Sequence, residues 1–490
     1  MTDILMVALI GFNLVVLVYF GLLNLFYLGT SFFSFRALRK YARRLNTLDV
    51  DELVTSAGAP PVTIVMPAYN EEANCVSSVR SLLALRYPEH EVIVVNDGSK
   101  DGTLAKLMET FQLAPAVRAP TSNLPTAHIR MIYRSRRNPT VWVIDKENGG
   151  KADALNAGIN YCHTPLFCAM DADSILEREA LMRLVRPFLE DGTTVAAGGI
   201  VRIANGCEID EGFISKVRLP GSLLARFQVL EYLRAFLAGR MGWSALDVLL
   251  IVSGAFGIFR RSAVVEAGGY ARDTVGEDME LIVRLHRHFR ERKQPYRISF
   301  IPDPIAWTEA PETMKVLARQ RDRWQRGLIQ SLSRHRKMLL NPRFGRIGMV
   351  AFPYFWFLEG FGPVVEILGY VAFVAALVLG WASPPFIIGF LLLAFFFGVA
   401  LSAASVALEE LVFRRYTKMG DFVRLLLLAV AENFGYRQLL TLFRFKGVFS
   451  AMGGRNSWGH MDRRGALVAP ARPLEAASAR VEEERVEVGV

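Results

Sequence analysis

The sequence predicts an α/β domain on a mostly parallel sheet, joined to an α-helical transmembrane region. Three observations predict it. Residues 4–35 contain no Asp, Glu, Lys or Arg, and further long apolar stretches lie at about 347–380 and 385–408. Between 59 and 301, short β-branched runs are spaced by helical patterns. Those runs are apolar without alternation, as strands covered on both faces are. Of the 490 residues 52% are hydrophobic and only 21% charged, which excludes a disordered chain, a collagen-like repeat and a small disulfide scaffold.

The N-terminal run, 1–35, exceeds the roughly 20 apolar residues that cross a bilayer. A signal peptide would begin with a basic segment and end at a small-residue cleavage site. Here Met1-Thr2-Asp3 is acidic, and Arg36, Arg39, Lys40, Arg43 and Arg44 follow the run. Those cations place the downstream side in the cytoplasm and the N-terminus outside. Residues 36–58 then read as a basic cytosolic linker. Within 347–380, Pro353, Gly360, Gly362 and Pro363 offer places to break, and Glu359 and Glu366 are expected to face protein or a water-filled path. A short outer turn at 381–385 leads into the next apolar stretch, and Arg414, Arg415 and Lys418 return the chain to the cytoplasm.

For residues 422–445, which carry Glu432 and Arg437, spanning, re-entrant and interfacial placements all stay open. Segment 347–450 therefore reads as transmembrane and interfacial helices, and 451–490 as a disordered cytosolic tail. The expected location is the cell (inner) membrane, multi-pass, with the lipid bilayer as a partner. The net charge of +10 clusters beside the spans, which argues against a nucleic-acid partner. Cys75, Cys162, Cys168 and Cys207 show no CxxC spacing and are expected reduced.

The soluble domain, 59–310, has strand-like runs at 62–66, 91–95, 141–144, 166–170 and 195–201. After the first run, Asn70 can cap a helix whose first turn holds Glu71 and Glu72 and whose stripe is Val76, Val79, Leu82 and Leu83. Ligands of open α/β sheets bind beyond the carboxyl ends of the strands. Acids gather there: Pro67-Ala68-Tyr69-Asn70-Glu71, Asn96-Asp97-Gly98-Ser99 and Asp171-Ala172-Asp173. One such cluster alone is an ordinary turn. Asp171 and Asp173 after a buried strand can also approach one Mg²⁺ or Mn²⁺, which takes one or two carboxylates plus phosphate oxygens. Gly149-Gly150-Lys151 before a helix can hold phosphate, although the Walker A spacing is absent.

Segment 311–346 reads as an amphipathic interfacial helix with ten Lys or Arg between 315 and 346. In it Gln320, Arg323 and Trp324 fall at i, i+3 and i+4, on one face, with Arg321 on another. His286 and His288, among Arg284, Arg287 and Arg290, read as a solvated basic face.

Seven motifs occur in order: PAYNEE at 67–72, VVNDGS at 94–99, GGKADALN at 149–156, DAD at 171–173, VSGAFG at 252–257, GED at 276–278 and QRDRW at 320–324. Together, over about 61–329, they resemble a membrane-integrated family 2 glycosyltransferase of the GT-A fold. The likeness is to polysaccharide synthases of the poly-N-acetylglucosamine, hyaluronan, chitin and cellulose type. It implies a UDP-sugar donor, with N-acetylglucosamine favoured, and inversion to a β-linkage. It also implies Asp97 at the uracil end, Ala68 and Glu71 near the nucleoside, and Lys151 near the base or diphosphate. By the same likeness Asp173 ligates Mg²⁺ or Mn²⁺ and Asp171 lies close to the sugar. Asp278 is the base with Glu277 beside it, although Gly276 stands where the motif usually has Thr. Ser253 and Gly254 line the acceptor site, Gln320 is substrate-binding, Arg323 serves the diphosphate and Trp324 offers the acceptor a flat platform.

The Gln-x-x-Arg-Trp pattern implies processive synthesis of a growing glycan coupled to export. The alternative is a single-addition transferase with a polyprenyl phosphate or other lipid acceptor. A catalytically silent membrane protein is disfavoured by the intact acids. Three or four spans are few to enclose a polymer channel, which leaves room for a homodimer or a small membrane partner.

Overall fold

A computed structural model describes residues 2–45, 58–210, 212–413, 416 and 418–453. The expected tail beyond 453, most of the expected linker, and Arg414 and Arg415 lie outside the described residues.

Valine- and isoleucine-rich runs form a ten-stranded sheet whose centre is Val141–Lys146, His90–Asp97, Val62–Ala68 and Leu166–Met170, paired in parallel in that order. Every residue of Leu166–Met170 and Thr194–Ile203 is buried, as strands covered on both faces require. The sheet as a whole is mixed rather than mostly parallel. Phe256–Arg260 runs antiparallel to both neighbours, and Ile129–Ser135 antiparallel to Val141–Lys146. Apolar runs report burial, not direction, so the sequence carried no sign of this.

The reversed strand matters for the site. Its first residue, Phe256, pairs with Met170, the last of its neighbour, so residues 252–255 enter at the edge from which Asp171 leaves. Lys146 pairs with Asp97 and Asn96 with Ala68, which brings the strand ends before Lys151, Gly98 and Tyr69 to that same edge.

The first helix is continuous over Thr2–Leu45, so the expected linker begins as helix rather than at residue 36. Among the described residues, Asp3–Arg43 and Pro384–Glu410 are long and apolar enough to cross a membrane. Ile347–Gly360 and Gly362–Val378 meet the same test as a pair bent by 46°. Residues 422–445 fall on two helices, Met419–Ala431 and Tyr436–Met452. The sequence reading gave no element to residues 223–245. They form the helix Leu223–Tyr232, a π-helical turn Leu233–Gly239 and a short helix Arg240–Ala245.

Ion pairs tie the sheet and the helices around it together. Arg202 on the sheet meets Glu409 at 2.7 Å, Arg321 meets Glu231 at 2.8 Å, and Arg234 bonds Glu432. The helix Glu277–Glu291 buries His286 and His288, which corrects their reading as a solvated face. His286 Nε2 bonds the Leu249 carbonyl at 2.8 Å, so that nitrogen carries the proton and Nδ1 accepts from Tyr296, also at 2.8 Å.

Candidate active site

Asp278 stands in the first turn of Glu277–Glu291, where exposed amides favour carboxylates. Its Oδ2 accepts from Gly254 N at 3.0 Å and its Oδ1 from Met279 N at 2.7 Å. Gly254 leaves these groups little room to spare, since a Cβ there would lie 3.1 Å from both Asp278 Oδ2 and Lys151 Nζ. Lys151, first in the helix Lys151–Asn160, reaches Asp171 Oδ1 at 2.5 Å, the Gly254 carbonyl at 3.1 Å and Glu277 Oε1 at 3.5 Å. One lysine thus ties three chain segments together. Burial alone would weaken its hold on a proton, but Asp171 and Glu277 reverse that and push Lys151 above the usual lysine range. Burial pushes the Glu277 carboxyl up to about 7, with Lys151 opposing and Asp278 adding to the rise.

These groups open into a cavity of about 690 Å³ also lined by Asp173, Ser253, Gln320, Arg323 and Trp324. Asp173 sits half-buried in the turn after Leu166–Met170, where Ser174 N closes on the Asp171 carbonyl at 3.1 Å. Two carboxylates on one turn at a cavity wall suit a hard divalent cation whose remaining ligands are phosphate oxygens and water.

The cavity brings together Lys151, Asp171, Asp173, Ser253, Gly254, Glu277, Asp278, Gln320, Arg323 and Trp324 from the sequence reading. Ala68, Glu71 and Asp97 lie outside its lining, at the neighbouring strand ends. Asp97 is buried and committed: its carboxylate takes Lys146 Nζ at 2.5 Å, Gly149 N at 3.0 Å and Gly150 N at 2.8 Å. It thereby shapes the loop that presents Lys151. Glu71 is anchored by its amide to Thr103 Oγ1 at 2.9 Å.

The motif helix Met314–Arg334 starts at Thr313, whose hydroxyl accepts from Val316 N. Gln320 is buried and Trp324 is 40% exposed, with the Arg321 guanidinium 4.2 Å over its ring. Arg321 lines the cavity too, although helical spacing placed it on another face. Gln325 donates to the Glu359 and Gly360 carbonyls at 3.1 and 2.7 Å, and Arg444 bonds the Glu359 carboxylate at 2.8 Å. Glu359 lines the cavity, while Glu366 accepts from Thr441 at 2.9 Å.

Two features escaped the sequence reading. A Cβ on Gly276 would lie 2.7 Å from Gly327 Cα, so the two helices touch backbone to backbone beside Glu277. A side chain at 276 would not fit this contact without a shift of backbone. Arg240 also lines the cavity. Its only signal was a cation inside the largely apolar stretch 235–243.

Residues 60–327 match the family model described as "Glycosyltransferase like family 2". The chain is similar to poly-beta-1,6-N-acetyl-D-glucosamine synthase of Staphylococcus aureus (strain COL), 27% identical over 342 residues, which cover 69% of this chain and 68% of that protein. Its counterpart from Staphylococcus epidermidis is 27% identical over 267 residues, 54% of each chain. Among solved structures, the mannosyltransferase PcManGT from Pyrobaculum calidifontis, in complex with GDP-Man and Mn2+, aligns over 85% of this chain and 99% of that chain, at 19% identity and a TM-score of 0.47.

Proposed function

Since the chain belongs to glycosyltransferase family 2, we propose that it transfers a sugar, with inversion, from a UDP-sugar to the end of a growing β-linked polysaccharide. N-acetylglucosamine is the proposed unit, in keeping with the name of the similar staphylococcal synthases. The reaction is placed at the cytoplasmic face of the cell membrane, with the N-terminus outside and the product passed outward by repeated addition. The apolar helices Asp3–Arg43 and Pro384–Glu410 support that location.

One observation carries the reading: Asp278 is fixed at Gly254 N, 3.0 Å away, in the cavity that Gln320, Arg323 and Trp324 also line. Single displacement needs a base that removes the acceptor proton as the hydroxyl attacks the anomeric carbon. Asp278 takes that proton. Lys151, held against Asp171, meets the departing diphosphate with positive charge. Arg323 acts on the same side, and Trp324 stacks against the acceptor sugar. Asp173 would hold Mg²⁺ or Mn²⁺, which supplies charge to offset the leaving UDP. Asp97 and Lys146 keep the Gly149–Gly150 loop in the shape that receives the nucleotide, with Ala68 and Glu71 at the nucleoside edge.

The test is UDP release by the protein in nanodiscs across a panel of UDP-sugars with Mg²⁺ or Mn²⁺, with product size followed in parallel and Asp278→Asn as the blank. One active donor giving a lengthening, glycosidase-sensitive polymer is the expected outcome. A short, solvent-extractable lipid product would replace processive synthesis by single addition. No release with any donor overturns the proposal.

A further inference from the structure

Arg234, Arg321 and Arg444 in the cavity wall are paired with Glu432, Glu231 and Glu359, whereas Arg240 is a lining cation that the proposed chemistry leaves unused. Its Nη1 is fully buried with no hydrogen-bond partner among the described residues. The guanidinium carbon lies 3.8 Å from the centroid of the Phe236 ring, which covers one face. A buried guanidinium N–H without an acceptor is unfavourable unless something else supplies one. Asp278 is the acid whose charge acts on it most, and both residues line the cavity. Burial draws the guanidinium down to about 10, against the pull of Asp278, so it is still charged at neutral pH.

The position of Arg240 is set before any ligand arrives. Two residues on, a Cβ at Gly242 would collide with the Thr30 carbonyl oxygen, so this short helix lies directly on the first one. Trp243 packs against Tyr354 and Phe355, with ring centroids 4.8 and 5.5 Å apart. The opposite kind of vacancy occurs on the motif helix. Gln320 Oε1, an acceptor, is buried without a hydrogen-bond partner among the described residues and belongs to a residue of the same cavity. A fixed donor and a fixed acceptor left open in one cavity with the base match a group that both accepts and donates. Sugar hydroxyls do so.

We infer that Arg240 is an acceptor-side binding residue, whose guanidinium donates to oxygens of the terminal sugar of the glycan and seats the attacking hydroxyl at Asp278. The inference rests on the reading above, in which the acceptor is a sugar chain. It assigns Arg240 to the acceptor and not to the UDP diphosphate, which lies with Lys151 and Arg323.

The experiment compares wild type, Arg240→Met and Arg240→Lys in nanodiscs, with the active UDP-sugar and a short β-linked N-acetylglucosamine oligomer as primer. Arg240→Met is expected to raise the primer KM at least about tenfold, the scale of one charged hydrogen bond. The donor KM stays within about twofold on the same scale, and Arg240→Lys recovers part of the loss. An unchanged primer KM, or a donor KM that rises as much, overturns the inference. Should Arg240→Met lose UDP release altogether, Arg240→Lys against wild type decides by the same split of primer and donor KM. Failure of the wild type to extend the primer would strike the function proposal instead, which keeps the two failures distinct.

Discussion

The two halves of the site are built on opposite plans. On the nucleotide side, charges answer one another within the protein: Lys146 is held between Asp97 at 2.5 Å and Asp153 at 2.6 Å, and Arg272 completes Asp153 at 2.9 Å. On the side facing the apolar helices Arg321 and Arg444 are paired with Glu231 and Glu359. Gln320 Oε1 and Arg240 Nη1, however, are buried without hydrogen-bond partners among the described residues, and Glu277 is pushed up to about 7 by burial. A closed network fixes a backbone shape, here the Gly149–Gly150 amides, before ligand arrives. An open one leaves its last bonds for the ligand to make. The difference locates the adaptable half of the site at the membrane side.

Lys146→Met attacks the closed half and should have the largest effect on stability. It leaves Asp97 and Asp153 buried without their shared cation, a loss of about 3–5 kcal/mol. The thermal midpoint in detergent should fall accordingly, and UDP affinity with it as the loop is released. Arg240→Met, in the open half, should leave the midpoint near wild type. Equal stability losses for the two variants would end the distinction.

Gly276→Thr sharpens the border between the halves, because it restores the residue the motif usually carries. Its Cβ would meet Gly327 Cα at 2.7 Å, backbone against backbone, with no side chain able to give way. Overpacking of this kind costs about 1–3 kcal/mol. Transfer should fall more than UDP binding, since the motif helix is displaced while the loop around Asp97 is not. A Gly276→Thr protein with wild-type polymerisation would show that the close approach has no functional part.

The acid motifs were legible because their order and spacing along the chain resemble a family pattern that does not depend on what packs around each one. Asp278, Lys151 and Asp171 could therefore be named, and the structure brings them to one cavity. Strand direction was not legible, since Phe256–Arg260 is as apolar as a parallel strand would be. Nor was the covering of a helix face. His286 and His288 sit among arginines in sequence, yet the segment around Leu249 covers His286. The mild-looking departure at Gly276 had no meaning until Gly327, fifty-one positions later, was seen against it. Arg240 was hidden for the same reason: what makes a lone cation functional is the absence of partners around it, which only three dimensions display.

His286 gives the smallest of the expected effects and tests whether the open half can be loosened alone. Burial draws its imidazole down to about 4 from 6.5, Arg290 adds to that, and the Leu249 carbonyl opposes it. As pH falls below 6.5 the unfolded chain takes up a proton that the folded one refuses. The stabilisation is therefore complete above pH 6.5 and drains away between 6.5 and 4, by about 2 kcal/mol at pH 5. His286→Gln keeps a donor for the Leu249 carbonyl and removes the titration, so its thermal midpoint should drop less between pH 7.5 and pH 5 than the wild-type one. The bond to Leu249 lies four residues before Ser253, on the acceptor side, whereas Asp97 and Lys146 have no part in it. Acid should accordingly raise the primer KM of the wild type before the donor KM, and His286→Gln should delay that rise. If both KM values rise together in the two proteins, the halves are mechanically one and the contrast between them is chemical only.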